Sequence, residues 1–398
     1  MATITPSGQQ KALLMGTLAF MVSFAIWGLL AGLMPSLKKE LNLTASQASL
    51  LVAVPVVLGA LGRIPAGLLA DRFGGKKVMT VLLFLMTVPA LILGFIHDYN
   101  NYLLVAIFLG LGGMTFSVGV TFVSRWYPPA KQGTALGIFG AGNLGHSIAV
   151  FGVPVLAASL GQSMAVWIFA ALALVYAVAF TAVAEDAEWT QAPKSLSSML
   201  KVFFKEHMCW VLSILYFQTF GGFVALSIYM PMLLKELFGL TAADAGFRTA
   251  MFVVLATAAR PLGGWLSDEI GSHLVLVASF AGLLPCAIIM TQHDFGYFTV
   301  GALGAAFLVG LGNGGVFKLV PQYFPKDVGT VTGLVGAAGG MGGFFPPLVL
   351  GYCKDHYGTY NPGFYCLAGF AALCLLILYL AIIRPSGTSN GNLAATAT

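Results

Sequence analysis

Two arginines stand inside long apolar stretches of the sequence, where a charged side chain requires a chemical reason. Arg63 and Arg260 each lie eight residues before an aspartate, Asp71 or Asp268. At 1.5 Å per residue, eight residues cover about 12 Å of helix, which brings both arginines close to the middle of a hydrocarbon core about 30 Å thick. A charge at that depth costs at least ~2.5 kcal/mol. The pair therefore has a ligand, buried acidic partners, or a path along which it can snorkel to the interface.

The distribution of acidic residues favours the ligand. No Asp or Glu occurs in the central part of the apolar stretches, so two cations share a pocket without internal counter-charge. Guanidinium is a planar fork that stays protonated and presents paired N–H donors, which suits a planar oxyanion better than a lysine ammonium does. The sequence thus predicts a small planar anion such as nitrate, nitrite, formate or oxalate.

A glycine pattern suggests a different chemistry at first sight. Gly140, Gly142 and Gly145, in the segment FGAGNLGHS at 139–147, have the spacing G-x-G-x-x-G of dinucleotide-binding folds. In those folds the pattern follows a strand and precedes an acidic residue by about 20 positions, whereas here it lies in an apolar run with no such acid. A second copy, GLVGAAGGMGGFFPP, occupies 333–347. Both copies predict close helix packing in a membrane, and we expect these glycines to let the two halves of the protein approach each other.

The composition places most of the chain in lipid. Of the 398 residues, 58% are hydrophobic and 8% are charged, and the mean hydropathy is +0.90. A soluble domain carries about 25% charged residues. Long apolar runs without ten-residue alternation predict an all-α membrane protein and not a β-barrel. The five cysteines lack metal-ligand spacing and the net charge of +5 comes without a basic domain, so we expect no metal, no cofactor and no nucleic-acid partner.

Twelve apolar segments are long enough to cross a bilayer, and we number them as spans one to twelve. They are 11–34, 46–70, 76–96, 101–124, 134–157, 164–184, 208–234, 245–267, 272–290, 295–319, 330–352 and 360–383. The first lacks a preceding cleavage site, which predicts a retained span. A polar linker at 185–207, on the cytoplasmic side, separates an N-terminal six-helix bundle, 1–184, from a C-terminal one, 208–385. We expect 386–398 to be a disordered tail.

Lysine and arginine predict the orientation of these spans. If both termini are inside, twelve lysine and arginine residues lie on the cytoplasmic side and five on the outer side. Positive residues concentrate on the cytoplasmic side of membrane proteins, so this asymmetry predicts that both termini are cytoplasmic.

The two halves also repeat each other. GRIPAGLLADRFGG at 62–75 aligns with ARPLGGWLSDEIG at 259–271, at an offset of 197 that matches Arg63 with Arg260. The two glycine-rich segments align at nearly the same offset. Two six-helix halves with repeated second and fifth spans are typical of a secondary transporter whose substrate site lies between the halves near the bilayer midplane.

The motifs carry a family resemblance that covers essentially the whole chain. GLLADRFGGKK at 67–77 resembles the signature of the major facilitator superfamily. The G-N-x-G segment in span five, its relative in span eleven, and the arginines of spans two and eight resemble the nitrate/nitrite porter family. The resemblance implies two pseudo-symmetric six-helix bundles that move nitrate, and nitrite as well, across the bacterial inner membrane by alternating access. We expect a monomer in the lipid bilayer.

The resemblance also implies roles for individual residues. Arg63 and Arg260 would hold the anion with Asn143 beside it, and aromatic residues of spans four and seven would line the pocket; these are Phe116, Tyr216 and Phe220. Gating or structural roles fall to the motif residues Gly67, Asp71, Arg72, Gly74, Gly140, Gly142, Gly145, Gly264, Asp268, Gly336, Gly339 and Gly342. This sequence departs from the family pattern at Gly340, where the second copy has no asparagine, and at His146.

Charge accounting predicts exchange as the transport mode. The empty site carries +2 and the site with one anion carries +1, so an anion should help the halves close, whereas closing empty would bring two bare charges together. Proton-coupled nitrate uptake is an alternative, with His146 as the proton carrier. An exchanger of small carboxylates such as oxalate and formate is another. An enzyme is disfavoured, because the spans contain no set of nucleophile, histidine and acid.

Overall fold

The computed structural model of the protein describes residues 5–128, 135, 136, 138–187, 197, 201, 205–292, 294–324 and 328–384. The elements in these ranges are helices. In chain order they are Pro6–Trp27, Leu29–Glu40, Ala45–Leu61, Arg63–Phe73, Gly75–Leu93, Tyr99–Leu109, Leu111–Ser124, Gly140–Asn143 (3₁₀), Leu144–Leu160, Gln162–Val183, His207–Tyr216, Phe217–Gly221 (π), Gly222–Phe238, Ala242–Leu266, Ser267–Gly271 (π), Ser272–Ile289, Phe295–Tyr323, Val328–Met341, Phe345–Tyr357, Asn361–Leu378 and Tyr379–Ile383 (π). Most of the predicted linker 185–207 and the predicted tail 386–398 lie outside the described residues.

The helices form eleven continuous stretches long and apolar enough to cross a membrane, within the ranges that the structure describes. One of them, Ala242–Ile289, has 48 residues. A straight helix of that length would extend about 72 Å, far more than one bilayer. It contains spans eight and nine, because Gly271 at its centre has φ of +91° and changes the chain direction. The eleven stretches therefore make twelve passes, as the apolar segments predict.

The first span is longer than predicted. Its two helices run from Pro6 to Glu40, whereas hydropathy alone indicates 11–34. The additional turn at its end contains Lys38, Lys39 and Glu40, which are polar and therefore give no hydropathy signal although they continue the helix.

The internal repeat is visible in the backbone. Six described residues have a left-handed φ, and they form three pairs at an offset of 197: Asn42 with Gly239, Gly74 with Gly271, and Gly161 with Gly358. Each of them lies at or next to a helix end. Because side chains disfavour this conformation, glycine occupies five of the six positions. The two halves thus share their turns as well as their motifs.

The glycine-rich segments pack closely inside each half, and the second one also packs on the other half, where a Cβ at Gly340 would lie 2.8 Å from the Cβ of Ala60. A Cβ at Gly142 would overlap the ring of Phe20 in span one, and a Cβ at Gly339 would overlap the ring of Tyr216 in span seven. A Cβ at Gly145 or Gly342 would overlap a backbone carbonyl oxygen of span one or span seven, respectively. Span five therefore packs on span one as span eleven packs on span seven.

Polar contacts join the halves at the ends of the spans opposite the 67–77 motif. Lys38 pairs with Glu236 at 2.6 Å. The Asp355 carboxylate accepts the backbone N–H groups of Ala45 and Ser46 at 2.9 and 2.8 Å, which caps the start of span two from the other half. These contacts hold the two halves together on this side of the protein.

Candidate functional site

Arg63 begins the second helix of span two, directly after a bend at Gly62. A side chain at Gly62 would overlap Met114, so glycine allows spans two and four to approach here. The Arg63 side chain is only 3% exposed. Its Nε donates to the Gly113 carbonyl at 3.1 Å, and its Nη1 donates to the Gly336 carbonyl at 2.9 Å. Since Gly336 belongs to span eleven, Arg63 reaches across the boundary between the two halves.

Two aromatic rings enclose the Arg63 guanidinium. Its Cζ lies 5.1 Å from the centroid of the Phe116 ring and 5.4 Å from that of the Phe220 ring. At these distances the ring faces stabilise a cation in a desolvated site by about 2 kcal/mol. The structure thus places both rings, predicted from the family resemblance, against this arginine.

Arg260 has a different environment. It is half-buried, and its Nη2 donates a long hydrogen bond of 3.4 Å to the hydroxyl of Tyr216. Its Cζ lies 5.4 Å from the centroid of the Phe317 ring, which contacts Tyr216 edge-on with 4.7 Å between centroids. Phe317 was not predicted. Spans four and ten both contain Gly-Leu-Gly, at 110–112 and 310–312, and a phenylalanine follows in each span. This shared pattern could have indicated Phe317 from the sequence.

A single aromatic stack connects the two arginines. The rings of Tyr216 and Phe220 are stacked, with centroids 5.1 Å apart and an interplanar angle of 8°. Arg63 contacts one end of this stack, and Arg260 contacts the other. The π-helix Phe217–Gly221 follows Tyr216 directly and contains Phe220. Such turns mark functional sites frequently, and here both arginines contact the same aromatic stack.

Neither arginine has an acidic partner among the described residues. The ion pairs in that part of the chain join Lys11 to Glu185, Lys38 to Glu236 and Lys318 to Asp268. Arg63 uses two of its three guanidinium nitrogens on carbonyls, and Arg260 makes one long bond. The arrangement leaves N–H donors in both guanidinium groups for an oxyanion.

Asn143 and Gly340 occupy matching positions in the repeat. Their surroundings explain why this sequence has glycine at position 340 and not the asparagine of the family pattern. Asn143 is 3% exposed, and its Oδ1 has no hydrogen-bond partner in the described part of the chain. A Cβ at Gly340 would lie 2.8 Å from the Ala60 Cβ and 3.4 Å from the Arg63 Nη1. An asparagine at position 340 would therefore overlap Ala60 and lie directly against Arg63, which is a physical reason for glycine there.

His146 lies in a tightly packed position against span one, where a Cβ at Gly28 would lie 3.2 Å from its ring. It is 3% exposed and contacts Trp27 edge-on, with 6.1 Å between ring centroids. Neither ring nitrogen has a hydrogen-bond partner among the described residues. The structure thus shows His146 in no hydrogen-bonded chain of the described residues that could pass a proton.

The remaining motif residues fall into distinct groups. Gly67, Gly140, Gly264 and Gly336 have room for a Cβ, so close packing does not require glycine at these four positions. Gly74 is required by its φ of +94°. Asp268 pairs with Lys318, and Arg72 lies over the Phe73 ring at 5.3 Å. The side chain of Asp71 lies outside the described residues.

The fold and the pocket define a helical membrane transporter with a central cation pair, and comparison with known proteins agrees. The sequence matches the family model of the Major Facilitator Superfamily over residues 16–318 and 212–397. It is 38% identical over 374 residues to the nitrite extrusion protein of Bacillus subtilis (strain 168), which covers 94% of each chain. It is also 38% identical over 364 residues to the probable nitrate transporter NarT of Staphylococcus carnosus (strain TM300), which covers 91% of this chain and 94% of that one.

A solved structure shows the same fold at low identity. The human organic anion transporter MFSD10 (TETRAN) superposes with a TM-score of 0.75 at 16% identity, over 94% of this chain and 100% of that one. The chain therefore belongs to the Major Facilitator Superfamily and, within it, to the nitrate/nitrite porter family, as the motifs predict. The expectation of a multi-pass membrane transporter rather than an enzyme is confirmed by this membership.

Proposed function

We propose that the protein transports nitrate across the bacterial cytoplasmic membrane and exchanges it for nitrite by alternating access. The observation that carries the proposal is the meeting of Arg63 and Arg260, from opposite halves, at the Tyr216–Phe220 stack without an acidic partner in the described ion pairs. The names of the relatives, a nitrite extrusion protein and a probable nitrate transporter, support nitrate and nitrite as the two substrates.

The chemistry of the pocket suits a small planar oxyanion. Two guanidinium groups present N–H donors in planar forks, and the rings of Phe116 and Phe220 exclude water beside Arg63. In a desolvated site the attraction between a cation and an anion is stronger than in water. Nitrate and nitrite offer coplanar oxygens to both arginines, and Asn143 is the proposed neutral donor beside them.

Exchange is the proposed coupling. Arg63 donates to the Gly336 carbonyl of the other half, which is a neutral acceptor. A carbonyl offers only a partial charge, and the pocket keeps its net charge of two until an anion enters. Closing the halves around an empty pocket therefore costs electrostatic energy that a bound anion removes.

The proposed arrangement in the membrane follows the distribution of lysine and arginine. Both termini are cytoplasmic, and the N-terminal bundle 1–184 and the C-terminal bundle 208–385 flank the substrate path of a monomer. In this orientation the contacts of Lys38 with Glu236 and of Asp355 with span two lie on the outer side. The pocket would then exchange substrate with the cytoplasm in the conformation described.

Counterflow in proteoliposomes tests the proposal. Vesicles are loaded with nitrite, with nitrate or with neither, and uptake of labelled nitrate is measured with and without an imposed pH gradient. We expect uptake that needs an internal anion and does not respond to the gradient. Uptake into empty vesicles driven by inward protons would replace exchange by symport. Uptake of oxalate or formate in place of nitrate would replace the proposed substrate by a carboxylate.

A further inference from the structure

Asn313 is a buried polar residue that the sequence motifs leave unexplained. It lies in the helix Phe295–Tyr323 of span ten and is 3% exposed. Its Oδ1 is enclosed without a hydrogen-bond partner in the described part of the chain. The Nδ2 of the same amide makes no hydrogen bond within the described part of the chain. An unpaired amide in a membrane interior is unfavourable, so its presence requires an explanation.

The position of Asn313 brings it to the level of Arg260. Asn313 precedes Phe317 by four residues, so the two share one face of span ten. The Phe317 ring lies 5.4 Å from the Arg260 Cζ, and a Cβ at Gly314 would overlap the Arg260 carbonyl oxygen. Gly314, the residue after Asn313, therefore lies against the backbone of Arg260, and Asn313 lies on the face of span ten from which Phe317 contacts Tyr216.

The repeat reveals an asymmetry between the two arginines. Gly-Leu-Gly-Gly at 110–113 aligns with Gly-Leu-Gly-Asn at 310–313, so Asn313 corresponds to Gly113, whose carbonyl holds Arg63. Asn143 likewise corresponds to Gly340, the residue that leaves room for Arg63 from the other half. Where Arg63 has two glycines around it, the matching positions around Arg260 hold two asparagines.

Helix packing supports the part of this correspondence that concerns Asn143. The 3₁₀ turn Gly140–Asn143 packs against the helix Ala242–Leu266, which carries Arg260. Both amides are buried to the same degree, and each has an Oδ1 without a partner in the described part of the chain. The surroundings of the two arginines thus differ in chemistry: backbone carbonyls hold Arg63, whereas the matching positions that pack near the helix of Arg260 carry amides.

We propose that Asn313 is a substrate-contacting residue that donates an N–H to the anion beside Arg260 and discriminates nitrate from nitrite. This inference rests on the proposed function and adds a residue to the site. Nitrate has three oxygens, and two guanidinium forks leave one for an additional donor. Nitrite has two oxygens and a nitrogen lone pair, so the forks satisfy it more completely. An amide donor beside the second arginine therefore benefits nitrate more.

Binding measurements on the full-length purified protein test this role. The dissociation constants for nitrate and for nitrite are measured calorimetrically for the wild type, Asn313→Ala and Asn313→Gly, the latter being the residue at the matching place in the other half. Ser279→Ala is a matched control, because it removes a buried hydroxyl from the neighbouring span nine, where it bonds Val275 at 2.8 Å. Thermal melting of each variant checks that the fold is retained.

We expect both Asn313 variants to raise the Kd for nitrate about tenfold and the Kd for nitrite less than threefold, the loss of one hydrogen bond to a charged group. The control should change neither constant. If the wild type binds nitrate and the variants are folded, equal losses for both anions, or no change, would overturn the inference. The proposed function would still stand. A wild type that binds no nitrate would overturn both.

Discussion

Replacing Arg63 by lysine keeps the charge of the pocket and removes the planar fork. In the structure this guanidinium holds the Gly113 carbonyl with Nε at 3.1 Å and the Gly336 carbonyl with Nη1 at 2.9 Å, and a third nitrogen stays available for an anion. One ammonium cannot occupy the positions of all three nitrogens. A hydrogen bond to a charged group contributes ~1.5–3 kcal/mol, so losing one bond to the anion raises Kd by about tenfold to 150-fold.

The assay for this variant combines calorimetric nitrate binding with counterflow of labelled nitrate in proteoliposomes. Arg72→Lys is the matched control, because Arg72 lies on the same helix as Arg63 but contacts the exposed Phe73 at its end. We expect Arg72→Lys to bind nitrate as the wild type does. An Arg63→Lys protein with a Kd within twofold of the wild type would refute the reasoning, since charge alone would then suffice.

Three further predictions concern packing, coupling and the conformational cycle. Gly339→Ala should abolish counterflow without preventing membrane insertion, because its Cβ would overlap the aromatic stack, whereas Gly336→Ala, which has open space, should retain at least half of the wild-type rate. His146→Gln should leave nitrate counterflow and its independence from the pH gradient unchanged; loss of a proton-driven component would instead assign His146 a role in coupling. Asp355→Ala removes the cap on span two, so a cysteine placed at Ser49 should react several-fold faster with an impermeant maleimide, and unchanged labelling would show that these contacts do not hold the outer side closed.

Much of the fold could be predicted from the sequence because a bilayer acts on every residue locally. Each span must be apolar over about 20 residues, and each charge inside it costs free energy. Spans and intramembrane arginines can therefore be identified without knowledge of any contact. The repeat offset of 197 likewise predicted the correspondence that the backbone shows at Gly74 and Gly271. The error at the end of span one arose where the helix leaves the hydrocarbon core and hydropathy no longer reports it.

The partners of the site residues were decided only by tertiary packing. The sequence placed Arg63 and Arg260 at similar depth, but helix rotation determined that one donates to carbonyls from both halves and the other approaches Tyr216. Glycine spacing predicted close packing and not its partners, which are spans one and seven inside each half and, at Gly340, span two of the other half. Phe317 was missed, although the Gly-Leu-Gly that spans four and ten share precedes a phenylalanine in both.

By itself, the sequence determined the class of protein, the twelve passes and the uncompensated charge that calls for an anion, since these depend on residue type and position along one helix. The tertiary structure decided that Arg63 has two carbonyl acceptors and that Gly340 makes room for it. Contacts of that kind join residues far apart in the chain, such as Arg63 and Gly336, and depend on how whole helices rotate and pack. No local pattern specifies that rotation, and so the geometry around the anion had to come from the fold.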